Sequence, residues 1–391
     1  MDPVADFLDR AVANIIPSRD TLARALTSGK QLNVYLGIDP TSVHIHLGHA
    51  VALRKLQQLV GLGHHVTFLI GDFTALIGDT SDKETERPVL TSAQIEANFA
   101  TYKDQAAKVL DFSAVTVRRN SEWLKKLSFK DIVLLARHFS LNDFISRELI
   151  KVRLESGRSV SLPEVLYPMM QGYDSYFMDT DLQIGGTDQT FNMQAGRTLQ
   201  KDLRNKDTFV LSTPFLDGTD SRKMSKSWGN AIWLDDSAAD VYGKVMSLRD
   251  DLIVQYFTLA TATPLPQVAE IEAQILGGAN PMNFKKQLAY TIVAELHGKA
   301  AASSAQSQFE STFQNRETPK NIPTYQINVS DNVVVETIVN ANLAESKSEA
   351  RRLITQGAVE YNGEKILDPN FQIIEPGTLK VGPRRFVNLI K

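Results

Sequence analysis

Three of the chain's seven histidines fall within six residues. They lie in DPTSVHIHLGHA, residues 39–50, as His44, His46 and His49. Clustered imidazoles can bind a metal, move protons or grip an anion. A metal is poorly served here. Zinc sites usually draw on thiolates or carboxylates beside histidine, yet the chain has no cysteine and no His-Glu-x-x-His pair. A solvated loop with no special role is the plain alternative. Position favours the anion. The segment leaves an apolar run at 33–38 and enters a helical pattern, where unpaired N–H groups and the helix dipole attract negative charge. Gly48 lets backbone approach closely. Nucleotide phosphates against this helix start would suit His46 and His49. His44 differs in parity and is expected to be structural or exposed.

A second cationic element lies far downstream. Residues 217–230 read DGTDSRKMSKSWGN, polar and flanked by glycines, and are expected to form a mobile loop carrying Lys223 and Lys226. Two loop lysines alone usually mean a solvated surface. Their joint occurrence with His-Leu-Gly-His is far less expected by chance than either alone.

These residues need a scaffold. Short β-rich runs recur at 33–38, 65–70, 114–119, 181–184 and 208–212, with helical stretches between them. One helix begins at or just before His46 and carries Ala50, Leu53, Leu56 and Val60 at helical spacing. Apolar strands alternating with helices predict an α/β fold, a parallel sheet covered on both faces. Residues 120–180 look like a helical insertion between two halves of that sheet. The boundaries expected are a catalytic domain over 1–233, a helical domain over 234–314, a linker over 315–328 and a small α+β unit over 329–391. In the tail, Ser346 and Glu349 predict a capping box before a helix with Ala350, Leu353 and Ile354, stopped by Gly357. Asn362-Gly363 predicts a hairpin turn.

Composition narrows the class. The 391 residues are 43% hydrophobic and 22% charged, enough for two or three cored domains. A net charge of −3 gives no global field for nucleic acid, so any RNA contact must be local. The acidic, mixed N-terminus is unlike a targeting peptide, and no apolar run approaches a membrane span. A cytoplasmic protein is expected.

The pair of motifs resembles the signature of class I aminoacyl-tRNA synthetases. More narrowly, VYLGIDPT, ALIGDTSDKETER, LYPMMQGYD and LQIGGTDQ resemble, in order, motifs of bacterial tyrosyl-tRNA synthetases. The likeness covers nearly the whole chain, including a tail similar to S4-type RNA-binding domains. It implies a Rossmann-like catalytic domain, a helical anticodon domain and an S4-like domain. It implies L-tyrosine, ATP and tRNA(Tyr) as substrates, magnesium with the ATP, no resident cofactor and a homodimer.

Residue roles follow from that likeness. Tyr35 and Asp174 would hold the tyrosine hydroxyl, while Asp79, Tyr167 and Gln171 receive its ammonium with Asn120 and Gln189 nearby. Tyr167, Gln171 and Asp174 fall on one helix face, a polar stripe that is costly to bury alone. Met169, Met170 and Phe177 beside it favour burial over a solvated face. Asp39 and Asp188 would hold the adenylate ribose and amino group. Gly37, Gly48, Gly185 and Gly186 would admit the adenylate backbone-close, and Leu36 stands where some relatives place a polar ribose contact. Thr41, His46, Lys83, Arg87, Lys223 and Lys226 match the pyrophosphate side, with His49 nearer the ribose. Lys83 and Arg87 could instead pair with Glu84 and Glu86 along a helix. In the tail, Lys347, Arg351 and Arg352 would contact tRNA, with Arg384 and Arg385 grouped after them; a charge-balanced solvated face is the alternative. Rival readings are a tryptophan enzyme of the same fold, a catalytically silent RNA-binding relative, and another nucleotidyltransferase with His-x-Gly-His.

Overall fold

β1 (Asn14–Ile16), β2 (Asn33–Ile38), β3 (His65–Ile70), β4 (Val115–Arg119), β5 (Leu182–Gly186) and β6 (Phe209–Thr213) form one sheet in the order β1-β6-β5-β2-β3-β4. The structure, a computed structural model, describes residues 2–78, 91–311, 323–327, 333–382 and 385–390. Asp79, Lys83, Arg87, Arg384 and most of the expected linker lie outside the described residues. Two compact units divide the chain, Met1–Ser303 and Ser304–Lys391.

The five apolar runs are the five parallel strands. β1 was not expected. It is three residues long, too short to show alternation, and pairs antiparallel with the edge of β6. The chain builds β2, β3 and β4 outward, then crosses to lay β5 and β6 on the other side of β2. A crevice opens at such a reversal, beside the carboxyl ends of the strands.

The crossover is the helical insertion, ending in the helix Leu162–Phe177 that carries Tyr167, Gln171 and Asp174. This helix packs closely on Thr190–Arg204. A Cβ at Gly172 would lie 3.0 Å from the Ala195 carbonyl carbon, and one at Gly196 would lie 2.8 Å from Ser175 Cβ. Side chains at those two positions would push Asp174 away from the sheet. Met169 is buried as expected, but Phe177 is 42% exposed and stacks on Trp123 at 4.6 Å.

The helix Leu47–Gly61 begins where the histidines predicted, with His46 as its N-cap in extended conformation. Leu47, Ala50, Leu53 and Leu56 bury its core face. Polar contacts tie down its far half. Arg54 pairs with Glu295 at 2.7 Å, and the buried Lys55 ammonium donates to the Phe7 carbonyl. Among the described residues no helix is long and apolar enough to cross a membrane.

The second unit has its own core. β7 (Thr324–Gln326), β8 (Val359–Tyr361), β9 (Glu364–Lys365), β10 (Gly377–Val381) and β11 (Arg385–Ile390) lie in the order β7-β11-β10-β8-β9. Helices Val334–Asn340 and Lys347–Thr355 bury Val334, Ile338, Ala350 and Ile354 against that sheet's Leu379 and Val387. Ser346 caps the second helix through the Glu349 N–H at 3.2 Å. Glu349 does not close the expected box: its carboxylate takes the Glu345 N–H at 2.8 Å instead. Gly357 ends the helix at φ +69°, and Asn362 and Gly363, at φ 50° and 86°, make the hairpin turn. Lys347 is paired with Glu336 at 2.8 Å, while Arg351 and Arg352 are exposed on the same helix. Arg385, itself exposed, donates to the Leu343 carbonyl.

Candidate active site

A cleft of about 630 Å³ opens at the carboxyl ends of β2 and β5. Every described residue that the sequence assigned to tyrosine or nucleotide lines it, as do Leu36 and His44. The cleft has two chemically different ends.

At one end the polar groups are deeply buried. Tyr35 is 3% exposed and Asp174 2%. Asp174 accepts from Trp123 Nε1 at 2.7 Å through one oxygen and from Asn120 Nδ2 at 3.2 Å through the other. Burial pushes its carboxyl up to about 8; the Trp123 and Asn120 hydrogen bonds oppose this, and nearby Asp39 and Asp72 add to it. Burial and Asp174 raise the Tyr35 phenol well above its ordinary value. Asn120 is fully engaged as a brace, since it also bonds Thr74 at 2.9 Å and takes the Phe73 N–H at 2.9 Å. In this structure the Tyr167 hydroxyl bonds Asp39 at 2.8 Å, and Thr74 holds the other Asp39 oxygen at 2.8 Å. Asp39 therefore links the tyrosine-side helix to the end of β2. Gln189 accepts from Asn192 at 3.2 Å.

The other end gathers the histidines and the lysine loop. The rings of His46 and His49 lie against each other at a tilt of 30° with centroids 3.8 Å apart, and His49 Nδ1 takes the His46 N–H at 3.3 Å. His46 Nδ1 is buried with no hydrogen-bond partner among the described residues. Gly48 is what lets that ring fold over the helix start, because a Cβ there would sit 2.9 Å from Nδ1. Burial, then His49 and Lys223, lower the His46 pKa to about 2, so the ring is neutral at physiological pH. It can donate or accept a hydrogen bond there without carrying charge.

That depression has a stability consequence. The unfolded chain protonates His46 near pH 6.5 and the folded one only near 2, so the unfolded state binds more protons in between. Stability is therefore lost as pH falls through that window. By pH 4.5 the loss from this one group is roughly 2–3 kcal/mol. Denaturant titrations at pH 7 and 4.5 should show His46→Gln losing less stability on acidification than the native chain, by about that amount.

His44 does not join the pair. Its Nδ1 meets Asp235 at 2.6 Å and both residues are partly exposed, as parity suggested. Among the described residues no three histidine or carboxylate side chains converge as metal ligands.

Specific contacts shape the 217–230 segment, the expected loop. Asn230, 2% exposed, takes the Ser225 N–H at 2.9 Å and donates to Asp220 at 2.7 Å. Asp217 and Lys223 form a β-bridge, and Lys226–Trp228 form a short 3₁₀ turn. Lys223, half-buried, and Lys226, exposed, both line the cleft. Lys223 Nζ is 3.7 Å from Asp188 and 3.7 Å from the centre of the Phe215 ring.

Several functional side chains escaped the sequence analysis. Trp123, Thr74 and Gln183 act by holding other site residues, and nothing local in the sequence marks them. Gly71 was legible in principle: it follows a strand and precedes an aspartate, as Gly78 does before Asp79. A Cβ there would lie 2.0 Å from Asp39 Oδ1.

Comparison with known proteins agrees with this geometry. The family described as tRNA synthetases class I (W and Y) matches residues 27–314, and the tyrosine–tRNA ligase SYY-like C-terminal domain matches residues 314–380. The tyrosine–tRNA ligase of Dehalococcoides mccartyi strain 195 is 42% identical over 386 residues, 98% of this chain and 97% of its own. That of Thermotoga maritima is 40% identical over 387 residues, 98% of this chain and 96% of its own. Among solved structures, a C-terminally truncated mitochondrial tyrosyl-tRNA synthetase from Aspergillus nidulans aligns with a TM-score of 0.66 at 25% identity, over 80% of this chain and 94% of its own. With a family match over most of its length and whole-chain relatives above 40% identity, the chain belongs to the class I tRNA synthetases.

Proposed function

We propose that the two ends of the cleft divide the labour of tyrosine activation. The chain catalyses ATP-dependent attachment of L-tyrosine to tRNA through a tyrosyl-adenylate, with release of pyrophosphate. Tyr35 and Asp174 hold the ring hydroxyl; Tyr167, Gln171 and Asp79 take the ammonium, with Asn120 and Gln189 beside them. Asp39, Asp188 and the glycines at 37, 48, 185 and 186 receive the adenylate. Thr41, His46, His49, Lys83, Arg87, Lys223 and Lys226 face the phosphates. The observation that carries this reading is a single cleft with a buried Tyr35–Asp174 pair at one end and two histidines, the His46 ring neutral, with two lysines at the other.

The chemistry needs no enzyme nucleophile. The tyrosine carboxylate attacks the α-phosphorus, the bond to the pyrophosphate oxygen breaks, and the ribose hydroxyl at the tRNA end later displaces the adenylate. Donors and cations aimed at charge that develops in the transition state supply the rate. Magnesium carried in by the ATP phosphates would offset their charge.

The tail's Lys347, Arg351 and Arg352 and the helical region 234–314 take the tRNA(Tyr) body and anticodon. Exposed apolar residues of the insertion, among them Phe129 at 81% and Leu162 at 66%, fit a homodimer interface. As a translation enzyme the chain is assigned to the cytoplasm. Charging of tRNA(Tyr) with labelled tyrosine, dependent on ATP, tests the assignment. Ending the chain within 312–322 should leave adenylate formation within about twofold of the full chain while tRNA charging falls at least ~10-fold, because the second unit has its own core and its basic helix meets only RNA. Loss of adenylate formation in a folded truncation would refute that division.

A further inference from the structure

Gln183 lies on β5 directly beside Tyr35 on β2, the two being partners in the parallel ladder. It is 1% exposed. A glutamine tip offers an acceptor oxygen and a donor nitrogen, so its orientation decides what its neighbours can do. Here a backbone group fixes that orientation. Nε2 donates to the Met193 carbonyl at 2.9 Å, a partner that can only accept. The flipped amide would set oxygen against oxygen in a buried site, which is costly. Oε1 therefore faces Tyr35, whose hydroxyl donates to it at 3.1 Å. Gly196 seats the amide from behind, since a Cβ there would lie 2.8 Å from both tip atoms.

A tyrosine hydroxyl has one proton. With that proton committed to Gln183, Tyr35 presents only lone pairs to the cleft. We infer that Gln183 is a positioning residue that makes Tyr35 an obligate acceptor, so that the pocket selects amino acids whose ring carries a hydrogen-bond donor at the para position. The inference rests on the placement of tyrosine at this end of the cleft. The chain of bonds then runs one way: substrate O–H to Tyr35, Tyr35 O–H to Gln183, Gln183 N–H to Met193. Bonds aligned in this sense reinforce one another in a buried setting. The raised Asp174 pKa is compatible, because a protonated carboxyl can donate to the substrate oxygen from the other side.

The test compares Gln183→Met with Gln183→Glu in the full-length enzyme. Met fills the space but takes no Tyr35 proton, which frees that hydroxyl to donate into the cleft. A buried, protonated glutamic acid can still give its proton to Met193 and accept from Tyr35. The readout is the ratio of kcat/KM for ATP–pyrophosphate exchange between tyrosine and phenylalanine, and between 4-aminophenylalanine and 4-fluorophenylalanine. Such ratios do not depend on the fraction of enzyme that folds. Both should fall at least ~10-fold in Gln183→Met, the worth of about one buried hydrogen bond, and stay within about threefold of native in Gln183→Glu. A purely structural role would lower all four amino acids together and leave the ratios unchanged, and that result overturns the inference. If the native enzyme itself showed no preference for tyrosine, the placement of tyrosine would have failed instead.

Discussion

Asp174→Asn should weaken tyrosine binding ~10²–10³-fold while ATP affinity stays within about threefold of native. Trp123 and Asn120 each donate to one Asp174 oxygen. An asparagine keeps the size of the side chain but turns one acceptor into a donor, so one of those buried N–H groups meets another donor. The amide, turned to satisfy one of them, would also no longer offer the substrate oxygen the carboxyl proton. Each buried polar group left unmet costs about 1–3 kcal/mol, and two of them account for the expected factor. Equilibrium dialysis with tyrosine and with ATP, measured separately, checks both halves of the expectation. An equal loss for both ligands would mean that the substitution disturbs the whole cleft.

Lys226→Ala should show the opposite bias. Lys226 lies on the cleft wall with Lys223, which rests near Asp188 and Phe215. An ammonium in that place gains most when charge builds on the departing pyrophosphate, and little from bound tyrosine. Its removal should lower the rate of adenylate formation ~10²–10³-fold and leave tyrosine affinity nearly unchanged. Thr41→Ala and His46→Ala should follow the same pattern if they face the same phosphates, as proposed; both line the cleft. Single-turnover adenylate formation with tyrosine and ATP varied independently separates the two effects. A Lys226→Ala enzyme that bound tyrosine poorly yet reacted at the native rate would contradict the assignment of the loop.

The inner parallel strands were legible because they are largely buried and read as mainly apolar runs, and the half-exposed edge strand β4 through its β-branched residues; β1 was not, since its three residues owe their strand form to β6. The cleft lining was legible where a polar or charged side chain stands out from its surroundings. Histidines at a helix start, lysines between glycines and a polar stripe on an apolar helix all announce themselves against their background. Trp123, Thr74 and Gln183 do not, because they serve by holding Asp174, Asp39 and Tyr35, and each looks locally like an ordinary residue of a strand, turn or core. The lysine segment shows the limit from the other direction. Its composition is that of a mobile loop, but a single buried asparagine, Asn230, bonds back to Ser225 and Asp220 within the same segment. Residue type gives the chemistry, whereas the pairing that aims it depends on register and packing.

The central claim is that the buried end of the cleft selects a phenol for activation. ATP–pyrophosphate exchange driven in turn by each of the twenty amino acids tests it most directly. Tyrosine alone should drive exchange well above background, and phenylalanine should trail it by at least ~10²-fold in kcat/KM, since it leaves the Tyr35 and Asp174 groups unpaired. Exchange driven equally by phenylalanine, or driven best by tryptophan, would contradict the account.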